Sequence, residues 1–443
     1  MQYSKDQIEA IDGIEEWLNN DNGTARVLTG AAGCGKTVLM KEVLHIAANA
    51  NLNVELAAMT HKAADIVITA TGVSCKTVHH LFGLSPAIDS NGKETLNQTG
   101  SIQIKSGALV IIDESSMIGE RLLQKIAKTI KELNSKVLFV GDPYQLPPIG
   151  ERCNVFDGSI PTYTLTTVHR QQGINPILDK ATEFREFIEG TRPEMPTITS
   201  DLNADGEGIH LMSQQDFTSQ FITQYIDYTP DMEIETPLCT YTNVGAHKYN
   251  QMIRNSMFFL NANIEPYYPD ERLISNGSIT LNKQLLVKNN AVVRVKHYKS
   301  SSLTSSLGNT ITGYDVTLQQ TSKNKPIILF TPITPEAGKT YISNIAKGAR
   351  KLQNIKNRGK ITPEQDIQRR DLWKEMFNAQ GSMGDLRPPY AQTTHKAQGA
   401  THDSVYIDLQ DIMKCRQHTL RARLLYVALT RAKTNCYIRE DIK

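Results

Sequence analysis

Residues 30–37 read G-A-A-G-C-G-K-T, a full G-x-x-x-x-G-K-[ST] phosphate loop, with a strand-like run (25–29) before it and a helix-like run (38–47) after it. Strand, glycine-rich turn and helix in that order commit this stretch to an α/β layout. The glycines let backbone N–H groups curl around phosphate oxygens, Lys36 brings a point charge to the outer phosphates, and the Thr37 hydroxyl can ligate Mg²⁺. Gly30, Ala31, Ala32, Gly33, Cys34, Gly35, Lys36 and Thr37 are therefore read as a nucleoside triphosphate cradle, against the plainer reading of a glycine-rich turn with a chance lysine. A second G-K-T at 338–340 has Ile333 where the first glycine belongs, so a surface turn is expected there. Cys34, next to Lys36 and a helix start, is expected to have a lowered thiol pKa, so that oxidation or alkylation would block nucleotide binding. The alternative is a small residue filling a tight loop.

At 443 residues the chain exceeds one ordinary core, and two or more domains are expected. No apolar run approaches a membrane span, and residues 1–16 mix acids with apolar positions, so no membrane association and a cytoplasmic location are expected. Six cysteines without a C-x-x-C pair argue against a zinc site and a disulfide framework. A net charge of +2 is too small for a basic arm, so any nucleic-acid binding must come from locally placed groups.

Up to about residue 170, β-branched runs at 25–29, 54–59, 109–113 and 137–140 alternate with amphipathic stretches, which implies a parallel sheet with helices on both faces. A second α/β segment has a strand at 237–241 and a helix at 244–258. Between about 286 and 387 the pattern turns to short β-like runs (291–295, 314–318, 326–330), serine-rich turns at 300–306 and a basic helical stretch, read as an inserted module. Strands at 390–393, 404–408 and 436–439 and a helix at 420–431 then resume the α/β pattern.

Asp113 and Glu114 close an apolar strand in V-I-I-D-E-S-S-M. With a phosphate loop upstream, Asp113 can hold Mg²⁺ and Glu114 can orient and deprotonate an attacking water; a D-E pair alone would be a solvated turn. The run G-D-P-Y-Q-L-P-P-I-G at 141–150 follows another buried strand, and Gln145 is placed to sense a γ-phosphate. Together with Y-V-A-L-T-R-A-K at 426–433, these motifs resemble those of superfamily 1 helicases, in the RecD-like (1B), 5′-to-3′ branch that includes small Dda-type phage enzymes.

The resemblance runs in order along nearly the whole chain and implies two RecA-like P-loop domains with parallel sheets. It implies that Gln7 reads the adenine edge, where the residue alone reads as a solvated helix position, and that Gln398 and Gly399 in T-H-K-A-Q-G lie near the nucleotide. It assigns Arg170 in L-T-T-V-H-R-Q and Arg431 to the γ-phosphate, giving Lys36, Asp113, Glu114, Gln145, Arg170 and Arg431 as the hydrolytic set. Thr60, His61, Thr77, His79, Asn243, Thr394, His395 and Lys396 are implied contacts to single-stranded DNA. Where the family has proline, Met59 stands.

The implied division is 1–80 with 106–170 as the first RecA-like domain, 81–105 as a strand-separating pin, 171–285 with 388–443 as the second, and 286–387 as an SH3-like insertion with a helical arm. Asn91-Gly92 is a hairpin-turn signal, with arms at 87–90 and 93–96; a mere surface hairpin is the alternative. Residues 339–360 carry seven Lys or Arg and no acid, which reads either as a solvated helix face or as added phosphate contacts. The expectation is an ATP- and Mg²⁺-dependent DNA helicase, working as a monomer at single-strand/duplex junctions. A single-strand-binding protein or replisome component is its expected partner, and replication, recombination or repair its setting. The rivals are a translocase that strips proteins without unwinding and an ATP-switched clamp or loader.

Overall fold

The computed structural model describes residues 3–20, 23–88, 94–98, 100–148, 150–167, 175–225, 237–258, 265–281, 284–320 and 323–440. Arg170 and the Asn91-Gly92 hairpin tip lie outside these residues.

The first sheet has six strands in the order Cys75–Thr77, Val54–Ala58, Leu109–Asp113, Lys136–Gly141, Ala25–Gly30 and Thr162–Leu165, with every neighbouring pair parallel. Side chains alternate across a strand, so each strand feeds two cores. Leu28, Leu56, Leu109, Ile111, Leu138 and Val140 meet Trp17, Leu39 and Val67 from helices on one face. Val27, Ala57, Val110, Ile112, Val137 and Phe139 meet Val78, Phe82 and Ile126 on the other. Because the strands are parallel, their C-terminal ends share one edge, and the phosphate loop, Thr60, Glu114 and Asp142 all emerge there.

The second sheet repeats this plan in the order Ala391–Thr393, Leu238–Thr240, His402–Asp408, Ala432–Arg439, Gly208–Met212 and Asp201–Leu202, with only the last pair antiparallel. Helices Pro176–Glu189 and His418–Leu429 cover one face, and Gln214–Thr223 and Asn243–Met257 the other. Gly399 and Arg431 each precede a strand and so stand at its N-terminal edge, whereas Thr393 ends a strand at the opposite edge. Residues 394–401 thus run from one edge of this sheet to the other.

The inserted module is a five-stranded antiparallel sheet, Lys323–Pro332, Thr310–Gln320, Val292–Thr304, Arg272–Ser275 and Leu386–Arg387, with a two-helix arm, Pro335–Asn357 and Pro363–Ser382. Three expectations are corrected here. The module takes in Arg272–Ser275, so its start lies earlier than 286; the short strand is too polar at its ends to announce which sheet it joins. Residues 300–304 are strand, because they pair in register with Thr310–Tyr314 as an extended two-stranded ribbon whose partly exposed faces tolerate serine. Gly338 is not in a surface turn but inside a helix, which starts with Thr334 capping the Ala337 N–H at 3.2 Å and Pro335 in the first turn. A Cβ at Gly338 would come within 3.0 Å of Pro332 Cγ, so glycine allows the close approach.

The hairpin is present, with arms Leu84–Ile88 and Glu94–Gln98 set slightly outside the expected ones and paired antiparallel. No helix among the described residues is long and apolar enough to cross a membrane.

Candidate active site

The phosphate loop needs its glycines. Gly33 and Gly35 have φ of +89° and +80°, a region that L-residues rarely adopt, and Gly35 is the N-cap of the helix Lys36–Asn49. Lys36 folds back over the loop, its Nζ donating to Gly30 O at 2.6 Å and Ala31 O at 2.9 Å. Gln7 is buried at the loop's back, where Nε2 donates to Cys34 O (3.3 Å) and Oε1 accepts from Ser4 N (3.1 Å). That amide pins the first helix to the loop, so the solvated alternative is excluded.

The Cys34 expectation is corrected. Its side chain is fully buried in the core beneath the loop, and burial raises the thiol pKa against the opposing pull of Lys36. A strand-to-helix turn must send one side chain inward, and this loop sends Cys34.

Asp113 ends its strand, and Glu114 takes a left-handed backbone (φ +53°, ψ +41°), a conformation costing a non-glycine residue about 1–3 kcal/mol. Glu114 Oε2 is buried without a hydrogen-bond partner. Burial and then the neighbouring Asp113 charge push its carboxyl up to about 7, against the pull of Arg431 and Lys36. Burial also raises Asp113, opposed by the Glu114 N–H and by Lys36. A carboxyl near neutrality with a free, buried oxygen suits a proton acceptor.

The second sheet supplies the other wall. Arg431, just past the helix His418–Leu429, is buried, with its guanidinium bonded to Val427 O (3.1 Å), Ala400 O (2.8 Å) and Thr430 Oγ1 (3.1 Å). Its charge reaches Glu114. A Cβ on Gly399 would stand 3.9 Å from Glu114 Oε1, and Gln398 Nε2 donates to Ser116 Oγ at 3.0 Å across the two units. Gln145 is buried, and its Oε1 has no partner.

Three residues that sequence reasoning did not single out cross between the units. Tyr426 Oη donates to Asp142 Oδ2 at 2.6 Å and accepts from Ala32 N at 3.5 Å. Arg423 Nη1 donates to Pro143 O (2.5 Å) and Gln145 O (2.7 Å). Asp142 and Tyr426 sit inside motif strings; nothing in the sequence marks Arg423.

The residues read as DNA contacts separate. Thr60 and Thr77 are helix N-caps, accepting from Ala63 N (3.1 Å) and His80 N (3.3 Å). Asn243 opens the helix Asn243–Met257 and accepts from Arg387 at 3.2 Å. His61, His79 and His395 are half-buried, and burial lowers the pKa of each. Thr394 is fully buried, and its hydroxyl donates to Thr240 O (3.1 Å), which holds the turn. Lys396 donates to Asn276; burial and the Arg387 charge lower its pKa to about 8. It opens with His61 onto a cleft of about 660 Å³ between both units and the inserted sheet. That cleft is also lined by Lys62, Lys288 and Lys433, cations that no sequence pattern singles out.

Fold and site define the class: a P-loop ATPase of two RecA-like units with its nucleotide elements at their junction. Residues 2–197 match a family model described as a AAA domain, and residues 388–438 match that of a UvrD-like helicase C-terminal domain. The ATP-dependent RecD2 DNA helicase of Deinococcus radiodurans is 36% identical over 158 residues, covering 35% of this chain and 21% of that protein. The ATP-dependent DNA helicase dda of Enterobacteria phage T4 is 23% identical over 437 residues, covering 93% of each. A solved Pif1 helicase from Candida albicans aligns with 99% of this chain and 94% of its own at a TM-score of 0.48 and 15% identity. The chain is similar to helicases of superfamily 1, with RecD- and Dda-like proteins among its relatives.

Proposed function

We propose that this chain is an ATP-dependent DNA helicase that hydrolyses ATP between its two RecA-like units and moves 5′-to-3′ along a single strand. The observation that carries the reading is the meeting, around the Glu114 carboxylate, of Lys36 and Asp113 from the first unit with Gly399 and Arg431 from the second. In this reading the loop amides and Lys36 bind the phosphates. Glu114 takes the proton of the attacking water as its oxygen bonds to the γ-phosphorus and the bond to the β-bridging oxygen breaks. Arg431, turned from its carbonyl partners, balances the charge that develops on the γ-phosphoryl oxygens, and Arg170 is assigned the same task by family resemblance. Gln145 reports the γ-phosphate.

Mg²⁺ is the metal that fits, because the Thr37 hydroxyl and Asp113 carboxylate are hard oxygen donors and this ion takes one or two protein oxygens, leaving the rest of its shell for phosphate and water. Bound there it would neutralise charge on the β- and γ-phosphates.

DNA is assigned to the cleft lined by His61, Lys62, Lys288 and Lys396, where cations from both units and the inserted sheet would grip one backbone. ATP binding draws the units together, and hydrolysis releases them; alternating grip then yields steps. The relatives named ATP-dependent DNA helicases support the activity, and polarity rests on the RecD-like resemblance. The hairpin is assigned the pin role, acting against about 1.4 kcal/mol of stacking per base-pair step.

The test is single-turnover strand separation on partial duplexes with either a 5′ or a 3′ tail. Unwinding of the 5′-tailed substrate alone is expected. Unwinding from the 3′ tail overturns the polarity, and DNA-stimulated ATPase without unwinding of either substrate replaces the helicase by a translocase or clamp.

A further inference from the structure

The loop 142–146 belongs to the first unit by connectivity, since it follows the strand Lys136–Gly141. By its contacts it belongs to the second. Leu146 is fully buried in the core cluster of the second sheet, among Ile177, Phe184 and residues of the helix His418–Leu429, with Tyr144 packed against the same cluster. Arg423 of that helix binds the carbonyls of Pro143 and Gln145. Tyr426, one turn further along, binds the Asp142 carboxylate and meets the Tyr144 ring edge-on with centroids 6.4 Å apart. Asp142 also accepts from Tyr144 N at 2.9 Å, so the carboxylate joins the loop's own turn to the helix. Every residue from Asp142 to Leu146 therefore has its backbone or side chain held by the second unit. Among them, Gln145 alone leaves a buried side-chain oxygen without a partner.

The Tyr426 hydroxyl has a second attachment. While its O–H donates to Asp142, a lone pair of the same oxygen accepts the Ala32 N–H of the phosphate loop. One oxygen thus touches the phosphate loop, the 142–146 loop and the second unit's helix.

We propose that Arg423 and Tyr426 are positioning residues that make the 142–146 loop travel with the second unit, so that closure of the units sets the distance between Gln145 and the nucleotide's outer phosphate. The proposal rests on the reading of Gln145 as the γ-phosphate reporter and is independent of whether the enzyme unwinds duplex. In this arrangement the sensor's backbone is fastened to the body whose movement it must report. A sensor fixed to the first unit alone would keep one distance from the phosphate loop whether the cleft were open or closed.

The test is a double-mutant cycle read by ATP hydrolysis, with and without single-stranded DNA. Tyr426→Phe removes one oxygen and keeps the ring, while Arg423→Met keeps the aliphatic stem and removes both carbonyl contacts. Each is expected to lower DNA-stimulated kcat by roughly tenfold while KM for ATP changes by about threefold or less, the size of effect that coupling residues have. The decisive readout is non-additivity. Gln145→Ala combined with Tyr426→Phe should be no slower than Gln145→Ala alone, because the tyrosine acts through the glutamine. A multiplicative double mutant, or single variants with unchanged kcat, overturns the proposal. If Gln145→Ala alone leaves kcat unchanged, the sensor reading itself has failed, an outcome separate from additivity. Circular dichroism and melting temperature of each variant distinguish loss of coupling from loss of fold.

Discussion

A buried ion pair helps to join the second ATPase unit to its inserted sheet. Glu271 has a fully buried side chain and accepts from Arg254 Nε at 2.5 Å, Arg254 Nη2 at 3.0 Å and Tyr268 N at 3.0 Å. Arg254 also donates to Pro266 O at 3.2 Å and stacks over the Tyr268 ring at 5.2 Å. Arg254→Met keeps the stem but leaves a buried carboxylate with one remaining donor. Removing one partner of a buried pair costs about 3–5 kcal/mol, whereas replacing both with apolar groups is often near neutral. Arg254→Met is thus expected to destabilise this junction by about that amount, and Arg254→Met with Glu271→Leu to recover most of it. Unfolding of several domains is not one transition, so the assay is hydrogen exchange read by peptide. Amides in Asn243–Met257 and Arg272–Ser275 should exchange about 10² to 4 × 10³ times faster in the single mutant, while those of the first sheet hold their rates. A single mutant within about 1 kcal/mol of wild type, or a double mutant worse than the single, would refute the argument that the uncompensated charge carries the cost.

Arg431→Ala should bind ATP with near-normal affinity yet lose turnover by about 10³-fold or more, as removal of an arginine that balances transition-state charge does; equilibrium binding of a non-hydrolysable analogue beside steady-state ATPase separates the two, and failed binding would count against the role. Asp6 accepts hydrogen bonds from Ser4 Oγ (2.5 Å), Thr166 N (2.6 Å) and Thr167 N (2.8 Å); burial raises its pKa, but these bonds outweigh it and hold the carboxyl well below the usual range. A depressed folded-state pKa gives stability that is present above the unfolded value near 4 and lost as pH falls through the folded value. Asp6→Asn should therefore lower melting temperature at pH 7 and converge with wild type at strongly acid pH; a gap that stays constant with pH would contradict this. Cys34, buried and with a raised pKa, should react with iodoacetamide more slowly than a free thiol at pH 7, and preferential labelling there by mass spectrometry would refute its placement.

What the sequence determined by itself is local. The phosphate loop is legible because strand, glycines, lysine and helix are consecutive, and its two positive-φ glycines are residues the turn requires. The parallel sheets are legible because strands covered on both faces must be apolar throughout, as Val110, Ile111 and Ile112 are. Asp113 and Glu114 could be read as a pair beside a strand end, and Arg431 by its motif.

Tertiary structure decided the rest, because it depends on what lies opposite. Only the packed loop shows that Cys34 points inward, reversing the expected thiol chemistry. Only burial shows that the Thr394 hydroxyl holds a turn. Residues 300–304 form a strand because a partner ribbon lies in register with them, and pairing across a turn leaves little mark on one strand's own residues. Arg423 reaches the carbonyls of Pro143 and Gln145 across roughly 280 positions of chain, a contact that no periodicity encodes. Motifs record what neighbours in sequence must do together; the junction of the two units arises from surfaces that meet only after both have folded.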